Sequence, residues 1–341
     1  MPTGKSSVIL GIESSCDETA AAVLVDGVVR SNSIAGQDVH RLWGGVVPEL
    51  ASRAHQEHIV PVVHDALTAA GVRKEDLSAV AFTQGPGLVG ALLVGTCFAR
   101  SFAQALEIPL VAVDHLKAHV LAHFIHDVSG ERTVPTFPFI NLTVSGGHTL
   151  LILVRSPLDM EVLGGTLDDA AGEAFDKGAK MLGLPYPGGP LVDQHAATVD
   201  PSRYKLPVPQ VAGLDMSFSG TKTAFRTIVM NGERNSPGFV QRELQHLCAS
   251  LQQSIVDILL RKLAKAARTH GIDRIGISGG VSANSALRTQ VQALADREGW
   301  QAHIPPFAYC TDNAAMIAMA GHYLHAKGIH AGLDTVPMPR H

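Results

Sequence analysis

The sequence is poor in aromatic residues and in charge. Aromatic residues make up 5% of its 341 residues and charged residues 17%, whereas hydrophobic residues make up 46%. A disordered chain would have the opposite balance, so we expect a folded protein whose core is built from aliphatic side chains and alanine. At roughly 150 residues per domain, the length indicates two domains.

Cysteine is also scarce. The 4 cysteines lie far apart and form no C-x-x-C pair. This excludes a disulfide framework and a zinc ribbon, and it indicates a reducing, cytoplasmic compartment. The net charge of −4 does not point to a nucleic-acid-binding protein, although such a total does not exclude a local basic patch.

One uncharged stretch, residues 77–99, is long enough in principle to cross a membrane. It contains the turn sequence Gln-Gly-Pro-Gly at residues 84–87, so a buried strand, a turn and a helix are the better interpretation. We therefore expect no membrane association.

The two halves of the sequence share one plan. An apolar strand, a small polar turn and a second apolar strand occur over residues 8–25 and again over residues 139–154. A polar segment near residues 127–136 separates the halves. The predicted division is a domain of residues 1–130, a domain of residues 131–325 and a tail of residues 326–341. A long irregular loop is predicted at residues 199–237, where such loops often carry function.

A histidine pair provides the first candidate site. His115 and His119 are four residues apart, so on a helix both imidazoles point to one face and can hold a divalent ion. A solvated helix face is the alternative, because two ligands do not complete a metal shell. The best third ligand is Asp312, which would otherwise be an ordinary helix N-cap.

Two other groups are not expected to take part in chemistry. His55 and His58 are three residues apart, which is not the spacing of the zinc-protease motif, so we expect them on the polar face of a helix. Cys16 lies in the first turn without a recognisable base beside it, so nucleophilic catalysis by its thiol is not expected.

Small turns provide the second candidate site. Ser-Gly-Gly sequences follow predicted strands at residues 145–147 and 278–280, and Gly-Gly-Pro at residues 188–190 adds a third turn. Glycine lets backbone N–H groups approach phosphate or sugar oxygens closely. The turns together favour a nucleotide, although hairpins use the same residues. The sequence contains no Walker A motif, so a P-loop is not indicated.

Acidic side chains form a third candidate. Asp169, Glu173 and Asp176 fall at helical spacing, so they could share one helix face. A solvated helix start favoured by the helix dipole explains this pattern as well as hydroxyl binding to a ribose or polar substrate does.

Several longer motifs resemble the universal tRNA threonylcarbamoyladenosine family. They occur in the family's order between about residues 8 and 320, at residues 11–19, 44–53, 85–88, 115–119, 144–149, 217–220 and 310–313. Ala54 and Thr143 differ from close bacterial members. The resemblance implies an α/β fold of two tandem actin/Hsp70-like (RNase H-like) domains with the active site in the cleft between them.

The resemblance also implies a metal-dependent acyltransferase. The threonylcarbamoyl group would pass from threonylcarbamoyl-adenylate to N6 of the adenosine immediately 3′ of the anticodon, in tRNAs that read codons beginning with A, with release of AMP. The implied partners are tRNA, a paralogous non-catalytic subunit and a small ATPase.

Matching the family's motifs to this sequence assigns the site residues. His115, His119 and Asp312 would hold one divalent ion, Fe²⁺ in the first place and Zn²⁺ as the alternative. The adenylate would be bound by Thr143, Val144, Ser145, Gly146, Gly147, Asp176, Gly189, Asp193 and Asn284. Glu13 is a candidate general base on its position alone.

Two other interpretations stay open at this stage. A metalloprotease of the sialoglycoprotease type would also combine a histidine pair with an acid. It would need a glutamate placed to activate a metal-bound water, and none lies within residues 115–119. An ATPase or kinase-like module would have the same fold, and turnover of ATP without tRNA would reveal it.

Overall fold

The computed structural model describes residues 6–37, 40, 43–127, 130 and 133–340. The strands are β1 (Val8–Glu13), β2 (Thr19–Val25), β3 (Val28–Ala35), β4 (Ala79–Gly85), β5 (Leu110–Asp114), β6 (His126–Asp127), β7 (Phe139–Val144), β8 (Thr149–Ser156), β9 (Asp159–Gly165), β10 (Arg274–Ser278) and β11 (Gln301–His303). The helices are α1 (Pro48–Ala70), α2 (Val89–Ala105), α3 (His115–Leu121), α4 (Ala171–Met181), α5 (Gly188–Ala196), α6 (Ser219–Asn235), α7 (Phe239–His270), α8 (Ser285–Glu298) and α9 (Ala314–Ala326).

The chain divides into two compact units. Unit 1 consists of residues 1–134 and 312–341, and unit 2 of residues 135–311. Four residues of the predicted boundary segment, 128, 129, 131 and 132, lie outside the described residues. Each unit has its own sheet and its own hydrophobic core.

Unit 1 is built on a sheet with the strand order β5-β4-β1-β2-β3-β6 in its described part. β1, β2 and β3 pair in antiparallel fashion, whereas β4 and β5 continue the sheet in parallel. Every residue of β1 is buried. Val8, Leu10 and Ile12 share a core cluster with residues of α1 and α2, while Gly11 faces α9. Coverage on both faces explains why this strand is a continuous apolar run.

Unit 2 repeats this topology. Its sheet has the order β11-β10-β7-β8-β9, in which β7, β8 and β9 are antiparallel and β10 and β11 run parallel to β7. The order β3-β2-β1-β4-β5 of unit 1 therefore recurs strand for strand. Thr143 pairs with Ser278, so the carboxyl ends of β7 and β10 lie side by side and place two of the small turns at one sheet edge.

The end of the chain differs from the predicted division. Residues 312–325 were predicted to belong to the second domain, but they are part of unit 1. The reason is α9, whose residues from Ala314 to Gly321 are all buried and which packs against β1, β2 and β4. The predicted tail belongs to unit 1 as well, since the Ala331 N–H donates to the Leu110 carbonyl and the Met338 N–H to that of Gln84.

The secondary structure of residues 77–99 and 199–237 can be compared with the predictions. The uncharged stretch is β4, a turn and α2, as the Gln-Gly-Pro-Gly sequence indicates. In the part of the chain that is described, no helix combines the length and the apolar character needed to cross a membrane. The predicted loop over residues 199–237 is wrong for residues 219–235, which form α6 and bury Thr221, Phe225 and Val229 at helical spacing.

The contact between β1 and α9 yields a stability prediction. A Cβ atom on Gly11 would lie 2.5 Å from the Ala314 carbonyl oxygen and 2.6 Å from the Ala318 nitrogen, and helix backbone cannot move aside cheaply. We expect Gly11→Val to lower the free energy of unfolding by about 3 kcal/mol, at the upper end of overpacking effects. Thermal and urea unfolding would measure it, with Gly36→Ala as the control, since a Cβ there meets no atom within 4 Å. Equal stability of both variants would contradict the packing described.

Candidate metal centre and nucleotide-binding turns

The histidine pair lies at the start of α3. Asp114 caps this helix by accepting hydrogen bonds from the backbone N–H groups of Leu116 and Lys117, at 2.9 and 3.0 Å. His115 and His119 follow one turn apart, with ring centroids separated by 4.6 Å. Both side chains are buried, at 5% and 0% exposure, so the solvated-face interpretation is wrong.

Asp312 completes the cluster from the other end of unit 1. Its Oδ1 lies 3.1 Å from Nε2 of His119 and 3.4 Å from Nε2 of His115. One ligand atom from each residue falls within 4.8 Å of the others. The N-cap of α9 is Asn313, whose side chain accepts a hydrogen bond from the Met316 N–H. The helix-cap interpretation of Asp312 is therefore wrong.

The carboxylates and imidazoles of the cluster shift one another's pKa values. Burial by itself lowers the pKa of His115, but the carboxylates of Glu13 and Asp312 raise it well above its ordinary value. Burial likewise raises the pKa of Asp312, but His115 and His119 hold it well below its ordinary value. Without a metal, a proton on His115 supplies the positive charge that the carboxylates require. A divalent cation would take over that role.

Glu13 is held entirely by neighbouring groups. Its Oε2 accepts hydrogen bonds from Nδ1 of His115 at 2.9 Å and from the Thr83 hydroxyl at 2.7 Å, and its Oε1 accepts from the Ser15 N–H at 2.5 Å. Burial raises its pKa, but His115 outweighs burial and the net shift is downward. This is the geometry of a carboxylate that orients a metal-ligating imidazole. That Glu13 acts as a general base stays a prediction.

The donor set fits a transition-metal ion. Two imidazole nitrogens and one carboxylate oxygen suit Fe²⁺ or Zn²⁺, and three protein ligands leave a coordination position for substrate. Within the described residues, Nδ1 of His119 is buried without a hydrogen-bond partner. Burial, followed by repulsion from the carboxylates of Asp312 and Asp17, raises the pKa of Glu18 to about 9. A cation in the cluster would relieve this repulsion.

The prediction that His55 and His58 lie on the polar face of a helix is wrong for His55, whereas His58 is half-buried. His55 is fully buried, with Nδ1 2.7 Å from the Thr19 hydroxyl and Nε2 3.0 Å from the Cys16 carbonyl oxygen. It fastens α1 to the turn between β1 and β2. Burial, followed by Asp17 and Asp312, raises the pKa of the Cys16 thiol, which agrees with the expectation that Cys16 is no nucleophile.

In unit 2, the turn after β7 presents open backbone. Gly146 and Gly147 are exposed, and a Cβ built on either meets no atom within 4 Å. Ser145 closes the turn, since its N–H donates to the His148 carbonyl and its hydroxyl accepts from the His148 N–H. Thr143 and Val144, at the end of β7, are fully buried and lead into this turn.

The remaining predicted adenylate residues fall into two linked pairs. Asp176 accepts hydrogen bonds from the N–H groups of Gly188 and Gly189 at 2.8 and 3.2 Å, which ties α4 to the start of α5. Burial raises the pKa of Asp176 although these donors lower it. Asp193, also on α5, accepts from the Ser285 N–H and hydroxyl.

Asn284 stands next to Ser285 and completes the second pair. Its side chain accepts from the Leu287 N–H at 2.9 Å, which caps α8, and donates to Oε1 of Gln252 at 2.7 Å. The bonds of Asp176 attach α5 to α4, and those of Asp193 attach α5 to the start of α8, where Asn284 is the cap.

The acidic residues predicted to share a face do not act together. Asp169 precedes α4 and pairs with Lys177 and Lys222, and Glu173 pairs with Lys177. Asp176 turns instead to Gly188 and Gly189. Sequence spacing indicated the carboxylates but not their pairing with Lys222, because Lys222 lies on another helix, α6.

The duplicated topology and the buried His₂Asp cluster define an actin/Hsp70-like α/β protein with a candidate metal centre. Solved structures share the fold. HypF of T. kodakarensis aligns with a TM-score of 0.61 at 14% identity, over 96% of this chain and 49% of that chain. Component A of (R)-2-hydroxyglutaryl-CoA dehydratase from Acidaminococcus fermentans aligns with a TM-score of 0.53 at 15% identity, over 94% and 99%.

Sequence relatives are much closer. The family model described as tRNA N6-adenosine threonylcarbamoyltransferase (TsaD) matches residues 28–319. Proteins of that name from Cytophaga hutchinsonii and Porphyromonas gingivalis are 54% and 53% identical to this chain. Each alignment covers 98% of this chain, with 96% and 98% of the relatives. The chain belongs to the tRNA N6-adenosine threonylcarbamoyltransferase family.

Proposed function

We propose that the protein transfers the threonylcarbamoyl group from threonylcarbamoyl-adenylate to N6 of the adenosine immediately 3′ of the anticodon, in tRNAs reading codons that begin with A, and releases AMP. The observation that carries this proposal is the buried cluster of His115, His119 and Asp312 in a chain of this family. Membership of the family also makes the protein an acyl-transferring enzyme.

In this proposal the cluster holds one divalent ion, Fe²⁺ in the first place and Zn²⁺ as the alternative. Bound there, the ion supplies Lewis-acid polarisation of the carbamoyl carbonyl or of the phosphate. His115, His119 and Asp312 bind it, and the hydrogen bond from Nδ1 to Glu13 keeps Nε2 of His115 aimed at it.

The adenylate is assigned to unit 2. The open turn at Ser145, Gly146 and Gly147 offers backbone N–H groups to phosphate oxygens. The other residues assigned to the nucleotide are Thr143, Val144, Asp176, Gly189, Asp193 and Asn284. The exocyclic amine of adenine is a poor nucleophile, so orientation of both substrates and stabilisation of developing charge should provide most of the rate.

Two partner proteins belong to the proposal, a paralogous non-catalytic subunit and a small ATPase, and we place the reaction in the cytoplasm. The test is mass analysis of tRNA nucleosides after incubation of the protein with tRNA, threonylcarbamoyl-adenylate and these partners. Formation of threonylcarbamoyladenosine is expected. Peptide cleavage by the pure protein, or ATP turnover without tRNA, in the absence of that product would favour one of the alternatives instead.

The open turn after β7 gives a specific prediction. Gly147→Val is expected to weaken adenylate binding at least about tenfold, because a branched side chain would occupy the space where phosphate meets backbone N–H groups. The fold should persist, since a Cβ at this position meets no atom within 4 Å. Calorimetric titration with a non-hydrolysable adenylate measures the effect, and Gly36→Val, at an equally open position in unit 1, is the control. Unchanged affinity in Gly147→Val would remove the turn from the nucleotide site.

A further inference from the structure

A basic groove runs between α4 and α6 in unit 2. It has a volume of about 450 Å³ and is lined by Lys177, Lys180, Met181, Lys222, Thr223 and Arg226. Lys177 and Lys180 are three residues apart on α4, and Lys222 and Arg226 are four apart on α6, so each helix turns a pair of cations toward the same space. Four cations in one groove contrast with the net charge of −4 of the whole chain.

Ion pairs hold two of these cations, Lys177 and Lys222, in place. The Asp169 carboxylate, whose side chain is 13% exposed, accepts from the Nζ atoms of Lys177, at 2.7 Å, and Lys222. Lys177 also pairs with Glu173 at 2.7 Å. An ammonium group has three N–H donors, so both lysines keep donors for a further anion. Burial raises the pKa of Asp169, but the two lysines outweigh it and keep the group ionised.

The other two cations are exposed. Lys180 and Arg226 form no ion pair within the described part of the chain. The four cations of the groove face two carboxylates, Asp169 and Glu173, which leaves an excess of two positive charges. The nearby Asp168 is bound at the start of α6, where the N–H groups of Phe218 and Ser219 and the Ser217 hydroxyl donate to it.

We propose that this groove binds the phosphodiester backbone of the tRNA substrate. The inference rests on the proposed function, which supplies a polyanionic macromolecule as substrate. Lysine and arginine contacts to phosphates position a nucleic acid without reading its sequence. Such a role suits an enzyme that modifies several tRNAs. Lys177 and Lys222, held by Asp169, give a phosphate a preformed place, and the exposed side chains of Lys180 and Arg226 extend the positive surface around it.

The test compares charge reversals by direct tRNA binding. Lys180→Glu combined with Arg226→Glu is expected to weaken tRNA binding by roughly tenfold at low salt. It should also make the slope of log affinity against log salt concentration shallower, by about 1 for each phosphate that the variant no longer neutralises. Fluorescence anisotropy with labelled tRNA over a salt series measures both. Arg261→Glu, at an exposed cation on α7 outside the groove, is the matched control and should change neither.

The outcomes separate this inference from the proposed function. Wild-type protein that modifies tRNA while the double variant keeps full affinity and the same salt slope would overturn the groove assignment alone. Activity lost only in the presence of the partner proteins, with tRNA affinity intact, would assign the groove to an acidic protein and overturn it too. Failure of wild-type protein to modify tRNA with all partners present would count against the proposed function, whatever the binding data show.

Discussion

Replacement of any one of His115, His119 and Asp312 by alanine is expected to remove the bound metal and to abolish threonylcarbamoyl transfer. In the described part of the chain three protein ligands form the centre, and the loss of one leaves two, which cannot retain an ion against competing chelators. Changes to groups behind a ligand typically reduce metal affinity or activity by about 10–100-fold, so loss of a ligand itself should exceed a hundredfold. Elemental analysis and the tRNA nucleoside assay measure the two effects.

Controls are needed because these side chains are buried. Asp312→Asn keeps the size of the side chain and removes the anionic oxygen, so it should lose metal while its unfolding temperature without metal stays near that of Asp312→Ala. His64→Ala, at an exposed histidine on α1, should retain both metal and activity. His55 would be a poor control, because its ring bonds to Thr19 and Cys16 inside unit 1. A fully metallated Asp312→Ala protein would remove Asp312 from the ligand set.

The architecture was predictable from local pattern. The strand-turn-strand plan at residues 8–25 and 139–154 is present as the hairpins β1-β2 and β7-β8, and the two sheets continue in the same order. The sheet that α9 joins was not predictable, because its apolar run would suit either core. What decides it is the absence of a side chain at Gly11, where α9 contacts β1, and this complementarity is visible only in three dimensions.

For the candidate site, too, some features were predictable from the sequence and others depend on tertiary packing. The spacing of His115 and His119 predicted a shared face, and Asp312 was selected as the third ligand from 193 residues away in sequence. The burial of the pair, the cap formed by Asn313 and the ion pairs of Asp169 with lysines on two helices depend on long-range packing. Sequence patterns therefore indicated the candidate side chains, whereas tertiary structure determined which groups surround them.

Two roles are open to Glu13, as the carboxylate that orients His115 and as a general base, and they predict different results for the same variant. Glu13→Gln is expected to lower metal affinity by about 10–100-fold, because a neutral amide holds Nδ1 of His115 less strongly than a carboxylate does. The variant should regain transfer activity when the assay contains excess metal. Glu57→Gln, at an exposed position on α1, is the matched control and should bind metal normally.

A general base would behave differently. Its removal typically lowers kcat by about 10²–10⁴-fold while the metal stays bound, and added metal would restore nothing. Metal titration and kcat, measured on the same preparation of Glu13→Gln, therefore distinguish the two roles. Because Oε2 of Glu13 accepts a hydrogen bond from Nδ1 of the ligand His115, we expect weakened metal binding with recovery in excess metal. Normal metal affinity with a low kcat would instead establish Glu13 as the base.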